Sequence, residues 1–250
     1  MIKQIPNIIT SLNLLCGCVA IMFAVSGDLV SASFFAFAGI FLDFFDGLAA
    51  RVLNAQSQVG LQLDSLADVV TSGVLPGIVM VQLLSEALTG TSLDIGTIFS
   101  DTANSTSIES YLPFIGLLIA VASGYRLAKF NVDTRQTDSF IGLPTPANAL
   151  LIMSIPMIQF HSEFEWLVDF LSNPYVLVGI TVLSSYLLNA EIPLFSLKVK
   201  SFSWEKYKMQ VVFMIISVIL IAILEFIAIP IIILLYVILS VVNNMLGKKV

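Results

Sequence analysis

Charge is scarce in this chain. Lys, Arg, Asp and Glu make up 11% of its 250 residues, while 58% are hydrophobic. Soluble domains carry about 25% charged residues, so a soluble globular protein is excluded. The charges that exist lean acidic, with 17 Asp and Glu against 11 Lys and Arg and a net of −6. That balance leaves no basic footprint for nucleic acid as a partner. Cysteine is nearly absent as well. Cys16 and Cys18 are two residues apart on an expected helix and point to different faces, so they do not form a disulfide. Two isolated thiols and a single histidine make no zinc-type cluster, and both cysteines read as small packing residues. No internal repeat is visible, and no polar stretch is long enough to fold alone. Residues 1–250 therefore read as one transmembrane domain.

Long apolar runs are what the chain does have. A crossing helix needs about 20 residues. Eight stretches meet that need, at 7–26, 30–52, 61–84, 111–131, 145–160, 174–190, 208–225 and 228–246. Pro156 and Pro174 interrupt or border the fifth and sixth. The first run begins after one lysine and resembles a signal peptide, but Asn7, Thr10, Ser11 and Asn13 break its apolar centre, so it reads as an uncleaved span. With eight spans both termini share a side. Lys3, Arg51, Arg126, Lys129, Arg135, Lys198, Lys200, Lys206, Lys208, Lys248 and Lys249 all fall on that side. The opposite side carries acidic residues, from Asp28 to Glu225, and no base. Positive charge marks the cytoplasmic side, so both termini are expected there, in a cytoplasmic membrane. The stretch 86–110 is then an external loop, with a sequon-like Asn104-Ser105-Thr106 that means little by itself. The stretch 191–208 is a basic cytoplasmic loop whose Phe195, Phe202 and Trp204 are expected to meet lipid headgroups. It introduces the last two helices of a C-terminal region spanning 191–250.

Four aspartates interrupt this apolar background. The string runs Asp43-x2-Asp46-Gly47-x2-Ala50-Arg51, then eight residues to Gly60, three to Asp64 and three to Asp68. A carboxylate at the centre of a bilayer costs about 2.5–3.5 kcal/mol on insertion scales, so four need a reason. Asp43 and Asp46 are i, i+3 on one helix, and Asp64 and Asp68 are i, i+4 on the next, so each pair shares a face. A turn over 52–59 makes the two helices antiparallel neighbours and brings the four carboxylates together at the cytoplasmic surface. Hard divalent cations such as Mg²⁺ or Mn²⁺ are the natural counter-charge for that oxygen set. A channel or transporter could place polar residues in helices too, and a divalent-cation transporter would use such aspartates. Neither explains Gly47, Ala50, Arg51 and Gly60 at fixed spacing. Gly47 and Gly60 suit either close helix packing or approach of a ligand to backbone.

The full string resembles the signature of the CDP-alcohol phosphotransferase family, D-x2-D-G-x2-A-R-x8-G-x3-D-x3-D, with every fixed position filled. The resemblance implies an all-α integral membrane fold, a six-helix bundle that here gains two C-terminal helices. It implies a homodimer with a cytoplasmic active site. It also implies a pair of divalent ions, Mg²⁺ or Mn²⁺, held by Asp43, Asp46 and Asp64, with Asp68 as general base that also touches metal. Gly47 and Gly60 move toward substrate, and Arg51 toward the nucleotide and diphosphate. Ala50 stays a packing residue.

Two further stretches narrow the resemblance. Pro6-Asn7-x2-Thr10-x2-Asn13-Leu-x2-Gly17 is similar to the start of bacterial and archaeal phosphatidylserine synthases. So are Arg126-Leu-Ala-Lys129-Phe130-Asn131 and Gly142-Leu-Pro144-Thr145-Pro146-Ala147, where Lys129 stands in place of a usual Arg. The motifs span residues 6–147. The resemblance implies transfer of a phosphatidyl group from CDP-diacylglycerol to the hydroxyl of L-serine, releasing CMP. CDP-diacylglycerol would then meet Asn7, Thr10, Asp43, Gly47, Arg51 and Gly60. Serine brings a carboxylate, so its site needs a cation. Arg126 lies inside an apolar helix and fits that need better than its alternative, a snorkelling topology marker. Asn131 and Thr145 offer neutral hydrogen bonds. Glycerol phosphate or inositol phosphate as acceptor, and isoprenyl tails in place of acyl chains, are the alternatives within the family.

Overall fold

The computed structural model describes residues 2–94, 96, 108–133, 139–195 and 204–245. Helix α1 spans Ile5–Val25 and starts at a proline in its first turn. Helix α2, Leu29–Val52, is capped by Asp28, whose carboxylate accepts the Ser31 amide at 3.0 Å. That bond holds the Asp28 carboxyl below its ordinary pKa. Helix α3, Gln58–Asp68, is capped by Ser57 through the Gly60 amide. It continues through a π-helical turn, Val69–Val74, into α4, Leu75–Thr89. A helical turn at Ile108–Tyr111 and a 3₁₀ turn at Leu112–Leu117 lead into α5, Leu118–Val132. Then come α6, Thr145–His161, α7, Glu165–Leu171, and α8, Pro174–Asn189. Helices α9, Trp204–Leu224, and α10, Ala228–Met245, end the described chain.

Each of the eight expected spans coincides with a helical segment. By length and hydropathy, five runs can cross a membrane, and the pair α7–α8, bent by 65°, makes a sixth. One of the five, Met209–Met245, holds two helices. The rings of Phe213 and Tyr236 lie 5.8 Å apart, whereas a straight helix would separate them by about 35 Å. The chain therefore folds back at the 3₁₀ turn Glu225–Ile227, where Glu225 takes a φ of +48°. Helix α6 has 17 residues and runs straight through Pro156. Its residues Ile152 through Ile158 are all buried.

Small residues let these helices approach closely. Gly17, Ala20 and Ala24 of α1 are buried, as are Ala32, Ala36 and Gly39 of α2. At Gly116 the backbones nearly touch: a Cβ there would sit 2.8 Å from the Val81 nitrogen and 3.0 Å from the Gly77 oxygen. Leu75, Met80, Leu84, Ile119, Ile152 and Leu177 form the centre of the bundle. Met22, Phe41, Val121, Tyr175 and Ile223 point outward on its apolar perimeter, as expected of surfaces that face lipid.

Two features depart from the sequence reading. A two-stranded antiparallel ribbon joins β1, Ser139–Ile141, to β2, Pro193–Phe195, with Phe140 opposite Leu194. Phe195, expected at the headgroups, is 1% exposed and packs between Phe213 and Tyr236. The Tyr236 hydroxyl donates to the Phe195 carbonyl at 2.8 Å, so the segment after α8 is tied to the C-terminal hairpin. The side chains of Lys198, Lys200, Phe202, Lys206 and Lys208 lie outside the described residues. The start of the expected external loop is ordered: Ser85 donates to the Thr91 carbonyl at 3.0 Å, and the Leu93 amide to Gln82 at 2.7 Å. Asn104 lies outside the described residues.

Candidate active site

Helices α2 and α3 meet across a short turn in which Asn54 has a φ of +48°. Both helices pack against α1, and there the two aspartate pairs come together. One carboxylate oxygen from each of Asp43, Asp46 and Asp64 lies within 4.8 Å of the others. Asp68, one turn further along, is buried, and its side chain interacts with that of Asp43. Its Oδ1 has no hydrogen-bond partner among the described residues. Two unit charges about 4 Å apart repel by about 4 kcal/mol at an effective dielectric near 20. A cluster of this kind is therefore stable only with protons or cations inside it. The donor set is made of hard carboxylate oxygens alone, which fits Mg²⁺ or Mn²⁺ and excludes the soft-ligand metals.

Helix α1 holds two of these carboxylates. Thr10, buried, donates its hydroxyl to Asp46 Oδ2 at 2.6 Å. The same hydroxyl lies 3.0 Å from the Pro6 carbonyl. It has one proton to give, and the shorter, charge-assisted bond takes it. Asn13, fully buried, donates its amide to Asp43 Oδ1 at 3.3 Å. Thr10 and Asn13 are i, i+3, the same spacing as Asp43 and Asp46, so the two helices meet rung against rung. Thr71 in the π turn donates to the Asn13 carbonyl at 3.3 Å and braces α1 from the other side. Isolated π turns are rare and gather at functional sites. This one follows directly after Asp68.

The start of α1, the end of α2 and the start of α3 lie at one end of the bundle. Asn7, Gly47, Arg51 and Gly60 are there. Gly47 is exposed, and a Cβ added to it would meet nothing within 4 Å. Helix packing therefore does not explain Gly47. At Gly60 a Cβ would lie 3.0 Å from Asn7 Oδ1, so those two residues touch. Arg51 is exposed, and its Nε donates to the Gly47 carbonyl at 3.0 Å.

Arg126 approaches the cluster from α5. It is 7% exposed, and its charge interacts with Asp68. Its Nε and Nη2 have no hydrogen-bond partner among the described residues. Arg126, Lys129, Ile141, Leu188 and Asn189 line a small recess, and Lys129 pairs with Glu191 at 2.5 Å. Asn131 donates to Ser65 Oγ at 2.9 Å, next to Asp64 in sequence. Thr145 is buried in the first turn of α6, and among the described residues none of the cluster's hydrogen bonds involves it. The sequence reading gave no site role to Asn13, Asn189 or Tyr236. Asn13 carried a signal, since it repeats the aspartates' i, i+3 spacing from Thr10. The other two reach this region through contacts distant in sequence and carried none.

Comparison with known proteins agrees with this arrangement. The family model described as CDP-alcohol phosphatidyltransferase matches residues 3–183. The chain is 35% identical over 194 residues to the CDP-diacylglycerol–serine O-phosphatidyltransferase of Bacillus subtilis, covering 76% of this chain and 89% of that one. It is 33% identical to the protein of the same name from Helicobacter pylori, over 59% of this chain and 55% of that one. An archaetidylserine synthase of Methanothermobacter thermautotrophicus is 28% identical over 72% of this chain and 66% of its own. The match contains the whole aspartate string and both helices that carry it, and the chain belongs to the CDP-alcohol phosphatidyltransferase family.

Proposed function

We propose that this protein transfers a phosphatidyl group from CDP-diacylglycerol to the hydroxyl of L-serine, giving phosphatidylserine and CMP. The observation that carries the reading is the junction of the aspartate cluster with Arg126, a buried guanidinium beside Asp68 with two donors unpaired among the described residues. The relatives add support, since the bacterial and archaeal names above share serine as acceptor and differ in the lipid. Archaetidylserine synthesis is the second reading on that ground.

Each group then has a role. Asp43, Asp46 and Asp64, with Asp68 at their edge, would hold a pair of Mg²⁺ or Mn²⁺ ions. When bound, such ions neutralise the diphosphate and the charge that develops as it is cleaved. Thr10 and Asn13 keep Asp46 and Asp43 in place. Asn7, Thr10, Gly47, Arg51 and Gly60, with Asp43, form the side toward CDP-diacylglycerol. Gly47 leaves room for the diphosphate, and Arg51 supplies positive charge there. Asp68 accepts the proton of the serine hydroxyl. The serine oxygen forms a bond to the phosphorus that bears the diacylglycerol. The bond from that phosphorus to the CMP oxygen breaks, and CMP leaves with its electron pair. Arg126 holds the serine carboxylate, with Asn131 and Thr145 as neutral partners.

The acceptor test measures CMP release from CDP-diacylglycerol in vesicles holding the purified protein, with L-serine, glycerol 3-phosphate or inositol phosphate. L-serine alone should stimulate it. Stimulation by a phosphorylated alcohol, with serine inert, would overturn the acceptor and leave the family intact.

General-base catalysis contributes about 10²–10⁴-fold. Asp68→Asn should lower turnover at saturating serine by about that range and leave the KM for CDP-diacylglycerol nearly unchanged. A variant that keeps its rate at saturation but loses the lipid nucleotide would make Asp68 a ligand and place the base elsewhere.

The charge asymmetry puts the α2–α3 turn and both termini in the cytoplasm. In a background without Cys16 and Cys18, Asn54→Cys should react with an impermeant thiol reagent only after cells are opened. Asp94→Cys should react from outside. Reaction of both from one side would refute this sidedness. The family resemblance also supports a homodimer in the membrane. Mass measurement in nanodiscs would reveal twice the chain mass, and a single chain mass would refute it.

A further inference from the structure

We propose that Asn189 selects an amino acid as the acceptor: its Oδ1 receives the ammonium of serine while the Nε–Nη2 edge of Arg126 holds the carboxylate. The proposal rests on the serine reading above and names the residue that reads serine's second charged group. Residue 189 lies beyond the end of the family match at residue 183.

Both side chains line the same recess. Nε and Nη2 form one edge of the guanidinium, two parallel N–H donors spaced to match the two oxygens of a carboxylate. Neither has a partner among the described residues. Asn189 is oriented by a bond on its other side, where Nδ2 donates to the Ala122 carbonyl at 3.0 Å. The amide cannot flip without placing oxygen against oxygen, so Oδ1 is the atom left over. It is buried and unpartnered among the described residues. The residues that line this recess bring two unpaired donors and one unpaired acceptor, a set that matches a zwitterion. It does not match a phosphate ester, whose oxygens would meet the Asn189 oxygen with no proton between them.

The surroundings favour a cation at Asn189. It is the last residue of α8, a helix of 16 residues, and the C-terminal end of a helix carries partial negative charge. The one ammonium that lines the recess, Lys129, is engaged by Glu191 at 2.5 Å. The backbone here is fixed. The Leu143 amide donates to the Leu187 carbonyl at 2.8 Å, and Gly142, with a φ of +75°, leaves no room for a Cβ against the Leu188 oxygen at 2.5 Å. Next to it, β2 is anchored by Tyr236 on the Phe195 carbonyl and by Asn244 on the Pro193 carbonyl at 2.6 Å. The C-terminal hairpin thus steadies one wall of the recess.

The test uses three acceptors with full-length protein in nanodiscs, reading CMP release: L-serine, 3-hydroxypropionate, which lacks the ammonium, and ethanolamine, which lacks the carboxylate. A hydrogen bond to a charged group corresponds to a change of about ten- to a hundredfold. Asn189→Leu should lower kcat/KM for serine by about that factor and leave 3-hydroxypropionate and the KM for CDP-diacylglycerol unchanged. Arg126→Ala should give a different pattern, weakening serine and 3-hydroxypropionate and sparing ethanolamine. Asn189→Asp keeps an oxygen toward the recess and adds charge, and like Asn189→Leu it gives up the bond to the Ala122 carbonyl. It should retain serine and weaken 3-hydroxypropionate, which makes the test independent of whether the leucine variant folds. Equal losses on serine and 3-hydroxypropionate in the Asn189 variants would reduce Asn189 to a brace for Ala122 and overturn the proposal. Wild-type protein that ignores serine and uses a non-amino-acid alcohol would refute the serine reading itself, and this proposal with it.

Discussion

Negative charge buried among apolar helices is the constraint on which this molecule is organised. Asp43, Asp46 and Asp64 bring their oxygens within 4.8 Å of each other, and Asp68 stands beside Asp43. The bilayer disfavours each of them, and each disfavours the others. The fold answers with donors on one side and a cation on the other. Thr10 and Asn13 give hydrogen bonds from α1, and Arg126 brings a full positive charge from α5. What remains is a deficit of positive charge at a set of oxygens that could hold a metal ion.

The close helix contacts follow from the same need. Donors as short as threonine and asparagine reach the aspartates only if α1 and α2 lie very near each other. The buried Gly17, Ala20, Ala24, Ala32, Ala36 and Gly39 permit that approach. Thr71 closes on α1 where Gly17 leaves space: a Cβ there would sit 2.4 Å from the threonine oxygen. Toward Arg126, the chain after α8 returns as β2, pairs with β1 and is held by Tyr236 and Asn244 of the last helix. The two C-terminal helices are thereby linked to the region around Arg126 as well as to the membrane.

Much of this was legible in the sequence, and the reason is periodicity. The four aspartates could be placed because i, i+3 and i, i+4 spacings translate into shared helix faces. The helices could be placed because a run of about 20 apolar residues has few other uses. Contacts between distant segments were not legible. Nothing local marks Phe195 as core, since the aromatic clamp around it comes from Phe213 and Tyr236. The π turn leaves no composition signature in Val69–Val74. Thr10 belongs to a motif visible in the sequence, but only the structure gives its partner as Asp46. Asn189 ends an ordinary apolar helix, and its unpaired oxygen becomes visible only when Ala122 is seen to hold the other end of the amide.

Manganese binding tests the central claim most directly, because it reads the cluster without turnover. Electron paramagnetic resonance on the purified protein titrated with Mn²⁺ should show two ions per chain with the spectral signature of a coupled pair. Asp64→Asn should remove that coupling while the protein stays folded. If the wild type takes up manganese no better than a variant with Asp43, Asp46 and Asp64 all changed to Asn, the carboxylates are not a cation site and the account fails.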